Sequence, residues 1–348
     1  MKHLLLLSLM LLAACAPQAT ATQSTEPQTI TIMTHDSFSV SEEVVKSFEE
    51  ANNAKIVFLQ SGDAGAVLNK AILAKEAPLA DLLFGVDNTF LSRALEGDIF
   101  EAYESPVLRE IPDGFKLDAS NRALPVDYGD VCINYDKAYF ADNNLVVPQS
   151  LEDLTKPEYK DLLVVENPAT SSTGLAFLLA TVAHFGDSFT DYWQALKDNG
   201  IVVVDGWETA YYTNFSGSSG RGPQPMVVSY GTSPAAEVIF AEKPMDDAPT
   251  ASILGPDTCF RQIEFVGILK GTKQRVLAEK LVDFMLGKQF QEDVPLQMFV
   301  YPVRPDAALP EEFTKYAQAP EQTAVLSPEE IAANRDAWIQ AWTDVVMK

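Results

Sequence analysis

Between Gln28 and Gly97 short apolar runs alternate with amphipathic segments, and that alternation confines the chain to few folds. In "QTITIMTHDSF" (28–38), Ile30 and Ile32 lie between threonines, the period of a strand running into a loop. Ser39 and Glu42 have the spacing of a capping box, and Val44, Val45 and Phe48 give the next segment one apolar face. "AKIVFL" (54–59), "AGAVLNKAILAKE" (64–76), "DLLFGV" (81–86) and "TFLSRALEG" (89–97) repeat the order strand, helix, strand, helix. Short links between such elements imply a parallel sheet. Ligands of open parallel sheets sit beyond the carboxyl ends of the strands. Here those ends carry Asp36, Asp63 and Asp87. Each alone reads as a helix cap or turn former; three on one edge also read as a site.

The second half repeats the style with different parts. "DVCINYD" (130–136), "LLVVEN" (162–167), "IVVVDGW" (201–207), "PMVVSY" (225–230) and the long "FRQIEFVGILKG" (260–271) read as strands. Helical patterns follow "ENPATSSTG" (166–174) and occupy 232–242, 274–287 and 327–347. A chain of 348 residues exceeds one typical core, so two lobes are expected. The Ser/Thr cluster ending at Thr173 reads equally as helix capping or as a cradle for a hydroxyl or an anion.

Acidic residues number 49 against 25 basic ones, which argues against nucleic acid and favours cationic ligands. No Gly-x-Ser-x-Gly elbow, His-Glu-x-x-His helix or phosphate-cradling Gly-Lys-Ser/Thr loop occurs. Past the first residues the histidines are His35 and His184, too few for a zinc centre. His184 lies on an apolar helix and reads as structural. No catalytic residues, resident metal or cofactor are therefore expected. Trp207, Tyr211, Tyr212, Tyr230, Phe299 and Tyr301 cluster near Gly and Pro turns. Aromatic faces beside carboxylates suit a flat cation. Trp207 and Tyr230, next to Gly206 and Gly231, read as site residues; Tyr301 reads as core.

Ahead of all this, Lys2 and the run "LLLLSLMLLAA" read as a secretory signal over 1–14, too short for a stable span. "LAAC" (12–15) resembles the bacterial lipobox, which implies lipidation of Cys15. Residues 15–28 have almost nothing to bury and read as a disordered tether. The expected location is the cell envelope, in the periplasm or on the outer face of the cytoplasmic membrane, held by the lipid.

"THDSF", "DLLFGVDN", "PVDYGDVCINYDK", "GWETAY", "VVSYGTSPA", "YPV" and "SPEEIAANRDAWIQAW", in that order, resemble the thiamine-binding proteins of bacterial ABC importers. The resemblance runs from about Thr29 to the C-terminus. It implies a type II periplasmic-binding-protein fold: two α/β lobes, each a mixed, mainly parallel sheet flanked by helices, joined by a hinge. Residues 29–126 with 262–305 would form the N-terminal lobe, and 127–261 with 306–348 the C-terminal one. It also implies a monomer that captures thiamine or its phosphates, without a cofactor, and delivers it to a permease and its ATPase.

Carried over residue by residue, the resemblance places Asp36 and Ser37 in the first-strand loop and Asp63 in the second. Ser171, Ser172, Thr173 and Gly174 would meet the hydroxyethyl or phosphate end of the ligand. Trp207 and Tyr230 fall on pocket aromatics, and Phe299 falls where a Trp is usual. His35 stands where a Tyr is usual, and Ala236 where another pocket Tyr is usual; Tyr211 or Tyr212 is the candidate replacement for that wall. The segment after "HDSF" is shorter and lacks the family's Trp, and the loop 216–225 looks inserted. The same fold implies that Cys132 and Cys259 flank two adjacent crossover strands, within disulfide reach. Alternatives are a ferric-iron receptor of the same fold, suggested by Tyr211–Tyr212, a pyrimidine-precursor receptor, and a surface hydrolase built through His35 or His184.

Overall fold

The computed structural model describes residues 26–218 and 221–348. The signal segment, Cys15 and most of the tether lie outside the described residues. The first elements are β1 (Gln28–Thr34), α1 (Glu42–Asn52), β2 (Ala54–Gln60), α2 (Ala64–Leu73), β3 (Leu82–Asp87) and α3 (Leu91–Glu96). A two-residue β4 (Phe100–Glu101) precedes the long β5 (Leu124–Asp136). Then come α4 (Lys137–Asp142), β6 (Leu163–Glu166), α5 (Ser172–Phe185), α6 (Phe189–Asp198) and β7 (Val202–Val204). A π-helical turn (Thr209–Asn214) leads to β8 (Met226–Tyr230), α7 (Ser233–Ile239), β9 (Thr250–Ile253) and β10 (Phe260–Leu269). The chain closes with α8 (Arg275–Met285), α9 (Lys288–Gln297), β11 (Tyr301–Pro302), α10 (Glu311–Tyr316) and α11 (Pro328–Val346).

Two local expectations are corrected. Ser41, not Ser39, caps α1: its backbone is extended and its Oγ accepts from the Val44 N–H at 3.4 Å. The Ser39 hydroxyl instead donates to Gln297 Oε1 at 3.2 Å, because the loop after β1 runs across to the end of α9 before the helix begins. The helix expected over 64–76 stops at Leu73, where a turn bonding Ala77 N–H to Ala74 carbonyl oxygen precedes Pro78.

The strands join in one sheet of order β2-β1-β3-β10-β5-β8-β6-β7, with β4 on β10 and β9 and β11 on β5. β1, β2 and β3 run parallel, as do β6, β7 and β8. Between these groups lie β10 and β5, antiparallel to each other along Phe260–Val266 and Leu124–Val131. The lobe boundaries drawn at 126/127 and 261/262 fall inside these two strands, so each strand serves both halves. Where they cross, Cys132 and Cys259 are joined by a disulfide, with 4.3 Å between their Cα atoms.

One apolar core, with Ile30, Ile32, Phe48, Phe84, Val266, Leu281 and Phe290, fills the N-terminal half. A second runs from Val67, Leu83 and Phe90 through Ile133 and Phe177 to Trp193 and Trp342, and so spans both halves. Trp193 meets Phe177 and Trp342 edge-on at 5.5 and 5.6 Å. α11 carries Trp342 and packs on α6 and on α3. α3 belongs to the first half and α6 to the second, so α11 bridges the two. Among the described residues no helix is long and apolar enough to cross a membrane.

Candidate functional site

The loops at the carboxyl ends of β1 and β2 and the strands β10 and β8 converge on a cavity of about 310 Å³ between the halves. The N-terminal half lines it with His35, Asp36, Ser37, Phe38, Ser39, Asp63, Glu264 and the 297–300 segment. The other half contributes Ser172, Thr173, Trp207, Glu208, Tyr212, Tyr230 and Phe240.

His35 forms one wall. Its ring lies against Phe84 at 5.6 Å and directly over Gly85. Gly85 has φ +97°, and a Cβ there would come within 2.3 Å of His35 Cδ2. Only glycine both adopts this backbone and leaves room for the ring. Gly85→Ala is expected to destabilise the fold by about 1–3 kcal/mol and to displace His35, readable as a lower denaturant midpoint.

His35 Nδ1 is 3.0 Å from Ser37 Oγ, and Nε2 is 3.3 Å from Glu264 Oε1. Burial by itself would lower the imidazole pKa. Glu264 outweighs it, helped by Asp63 and Asp36, and the net shift is upward. Burial would likewise raise Glu264, but the His35 charge beside it holds it below the usual range. Glu264 lies in cross-strand register with Asp87 on one side and Asp127 on the other. Asp127 is fully buried, and burial together with the Glu264 charge pushes its carboxyl well up. Ser37, His35 and Glu264 thus make a chain of the kind a hydrolase uses.

Asp63 has two jobs. Oδ1 accepts from Ala64 N–H at 2.6 Å and caps α2; Oδ2 accepts from the Trp207 backbone N–H at 2.9 Å, across the cleft. Burial raises its pKa despite both bonds. A second bond across the cleft joins Gly65 N–H to the Thr170 carbonyl at 3.0 Å. Asp36 Oδ1 accepts from Gly62 N–H at 2.8 Å. Asp87 forms a turn ahead of α3: Oδ1 accepts from the Thr89 N–H and hydroxyl and from the Phe90 N–H, and the carboxyl, pushed up to about 6 by burial, does not line the cavity. It backs the wall indirectly, since Gln262 donates to Asp87 Oδ2 and accepts from the Tyr230 hydroxyl at 2.7 Å.

On the opposite wall the Trp207 indole stacks on Tyr211 at 5.0 Å and 18°, and its Nε1–H donates to Ser229 Oγ at 2.9 Å. Tyr212 meets Trp207 edge-on at 5.5 Å. Phe299 is held at φ 60°, with its carbonyl accepting from the Thr232 hydroxyl and its ring edge-on to Phe240 at 4.9 Å. A bulky residue in that region is strained, and such strain gathers at ligand sites.

Of the residues singled out in the sequence, His35, Asp36, Ser37, Asp63, Ser172, Thr173, Trp207, Tyr230 and Phe299 line the cavity. Ser171, Gly174 and Tyr211 stand behind it. The Ser171 hydroxyl is buried against Thr173 Oγ1 at 2.9 Å. A Cβ on Gly174 would lie 2.4 Å from the Glu166 carbonyl oxygen, so this glycine lets α5 close on β6. Tyr211 is buried, and its hydroxyl donates to Glu237 at 2.8 Å. The wall left open by Ala236 is lined by Tyr212 and by Phe240, which sequence reasoning missed. Glu264 and Glu208 were missed as well. A glutamate inside the apolar run "RQIEFVG" was the available signal for the first. Tyr301 stacks on Tyr128 at 5.3 Å, away from the cavity, and His184 sits between Glu152 at 2.8 Å and Asp257 at 3.2 Å.

The cavity therefore offers four carboxylates, one imidazole and several ring faces, with no lysine or arginine in its lining. That set attracts a flat, positively charged molecule and holds it by stacking.

Residues 77–329 match the family described as bacterial extracellular solute-binding protein. A thiamine-binding periplasmic protein of Salmonella typhimurium is 32% identical, over 97% of this chain and 98% of the relative. Its Escherichia coli K12 counterpart is 30% identical over 92% of this chain and 94% of that one. Among solved structures, a periplasmic thiamin binding protein superposes with a TM-score of 0.81 at 28% identity, covering 94% of this chain and 98% of that one. A ferric binding protein from Campylobacter jejuni shares the fold, with a TM-score of 0.73 at 18% identity and coverage of 91% and 99%.

Proposed function

The chain belongs to the bacterial extracellular solute-binding proteins, whose role is to bind solutes for transport, and from that premise we propose that it captures thiamine in the cleft and hands it on to an ABC permease. The observation that carries the reading is the lining itself: aromatic faces from Trp207, Tyr212, Tyr230 and Phe299 beside Asp36, Asp63, Glu208 and Glu264. Thiamine joins a flat aminopyrimidine to a permanently cationic thiazolium, and each part finds its complement here. Ser172 and Thr173, at the start of α5, face the cavity as donors for the hydroxyethyl end or a phosphate on it. Closure would follow from contacts such as Asp63 with Trp207, which exist only when the halves meet.

Export by the leader and anchoring of a monomer through Cys15 belong to the same proposal. A lipid-held receptor with a flexible tether stays within reach of its permease. No cofactor enters, and the ligand leaves unaltered.

Ferric iron fits less well. Of the two adjacent tyrosines only Tyr212 lines the cavity, while Tyr211 turns to Glu237.

Calorimetric titration of the mature protein with thiamine, its mono- and diphosphate, and ferric iron tests the reading. Thiamine is expected to bind with a Kd of about 1 μM or below, near −8 kcal/mol. Millimolar or absent binding of every thiamine form would end it, and tight binding of iron alone would replace it.

A further inference from the structure

His35 is the sole basic side chain in the cavity lining. Carboxylates surround it from several elements: Glu264 on β10 at 3.3 Å, Asp63 at the head of α2, Asp36 in its own loop and Glu208 from the opposite half. Asp127 on β5 stands behind Glu264, and the Tyr230 hydroxyl is turned away to Gln262. Nδ1 meets the Ser37 hydroxyl at 3.0 Å, and the remaining sides of the ring are Phe38, Phe84 and the bare backbone of Gly85. Phe84 and Gly85 hold the ring 3.3 Å from Glu264 on the cavity wall.

We propose that His35 is a resident counter-cation whose charge the ligand replaces, so that capture of one cation expels one proton from the imidazole. The inference rests on the cationic-ligand reading above. Two positive charges sharing a confined, water-poor cavity repel strongly, and His35 is the one that can discharge. The step balances: imidazolium and ligand cation enter, neutral imidazole and bound cation remain, and the proton passes to solvent before the halves close.

The sign follows from linkage. Glu264 and its neighbours raise the His35 midpoint in the free protein. A bound cation lowers it. Protons therefore oppose binding, and affinity climbs with pH between the liganded midpoint and the free one, by up to about tenfold per pH unit, then levels off. A neutral pyrimidine expels no proton and gains nothing as the pH rises. Discrimination between a permanent cation and an uncharged ring fragment therefore sharpens as the pH rises.

The test is titration of the mature protein with thiamine in buffers of different ionisation heat, across the pH range through which His35 discharges. The expected result is a heat that tracks the buffer, amounting to release of close to one proton per thiamine, with affinity rising with pH. Nuclear magnetic resonance on the same protein reads the two histidines of the folded body separately. Saturating thiamine is expected to lower the His35 midpoint by about one pH unit or more and to leave His184 in place. His35→Gln is expected to abolish the proton release. Thiamine binding with no buffer-dependent heat, an unmoved His35 signal, or release retained in H35Q would each overturn this inference while leaving thiamine capture standing. Absence of any thiamine binding would overturn both.

Discussion

Trp207→Ala is expected to weaken thiamine binding by about 2–3 kcal/mol, roughly 30- to 150-fold. The indole lines the cavity and is fixed from two sides. Tyr211 stacks behind it at 5.0 Å, and Ser229 takes its Nε1–H while bonding on to Ser233 at 2.9 Å. A ring held this way needs no ordering when the ligand arrives, so its stacking energy goes to affinity. The substitution is also selective. The bond across the cleft to Asp63 comes from the Trp207 backbone N–H, which alanine keeps. Affinity should therefore fall while the closure contact survives, and Trp207→Phe should recover part of the loss. Calorimetry on variants with unchanged circular dichroism reads the effect. Equal affinity for wild type and W207A would remove this wall from the site.

Loss of the Cys132–Cys259 bridge is expected to lower unfolding stability by about 4–5 kcal/mol, the amount that closing a loop of this length removes from the entropy of the unfolded chain. The two residues are 127 positions apart, and both are fully buried where β5 and β10 cross. The double change to alanine avoids leaving a lone buried thiol or hydroxyl. Denaturant unfolding of this variant, against wild type with and without reductant, gives the number. Reduced wild type and the double variant should coincide well below the oxidised protein. Curves within about 1 kcal/mol of each other would mean that sheet pairing alone holds the crossing.

Local pattern made the strands and helices around the cleft readable. Alternating Ile30 and Ile32, the face of Val67, Leu68 and Ala71, and the aspartates at strand ends all act within a few residues. What pattern could not resolve was depth. Ser171 and Tyr211 sit next to lining groups, yet each faces the protein behind the cavity. A one-residue step along a helix start turns a side chain from ligand to core. Glu264 was hidden for the opposite reason. Its place depends on β10 lying between β3 and β5, a pairing across more than a hundred residues that no window reveals. Asp87 shows the remaining ambiguity: as a turn former and as a site residue it would look the same in sequence, and the structure gives it the turn.

Everything here depends on a planar cation resting between aromatic rings and carboxylates, unreacted. A crystal structure of the mature protein grown with thiamine examines that most directly. It should show the intact vitamin in the cleft, ringed by Trp207, Tyr212, Tyr230 and Phe299, with its positive end toward Asp63 and Glu264. A cleft shut over side chains alone, thiamine seated elsewhere, or a cleaved product in its place would contradict it.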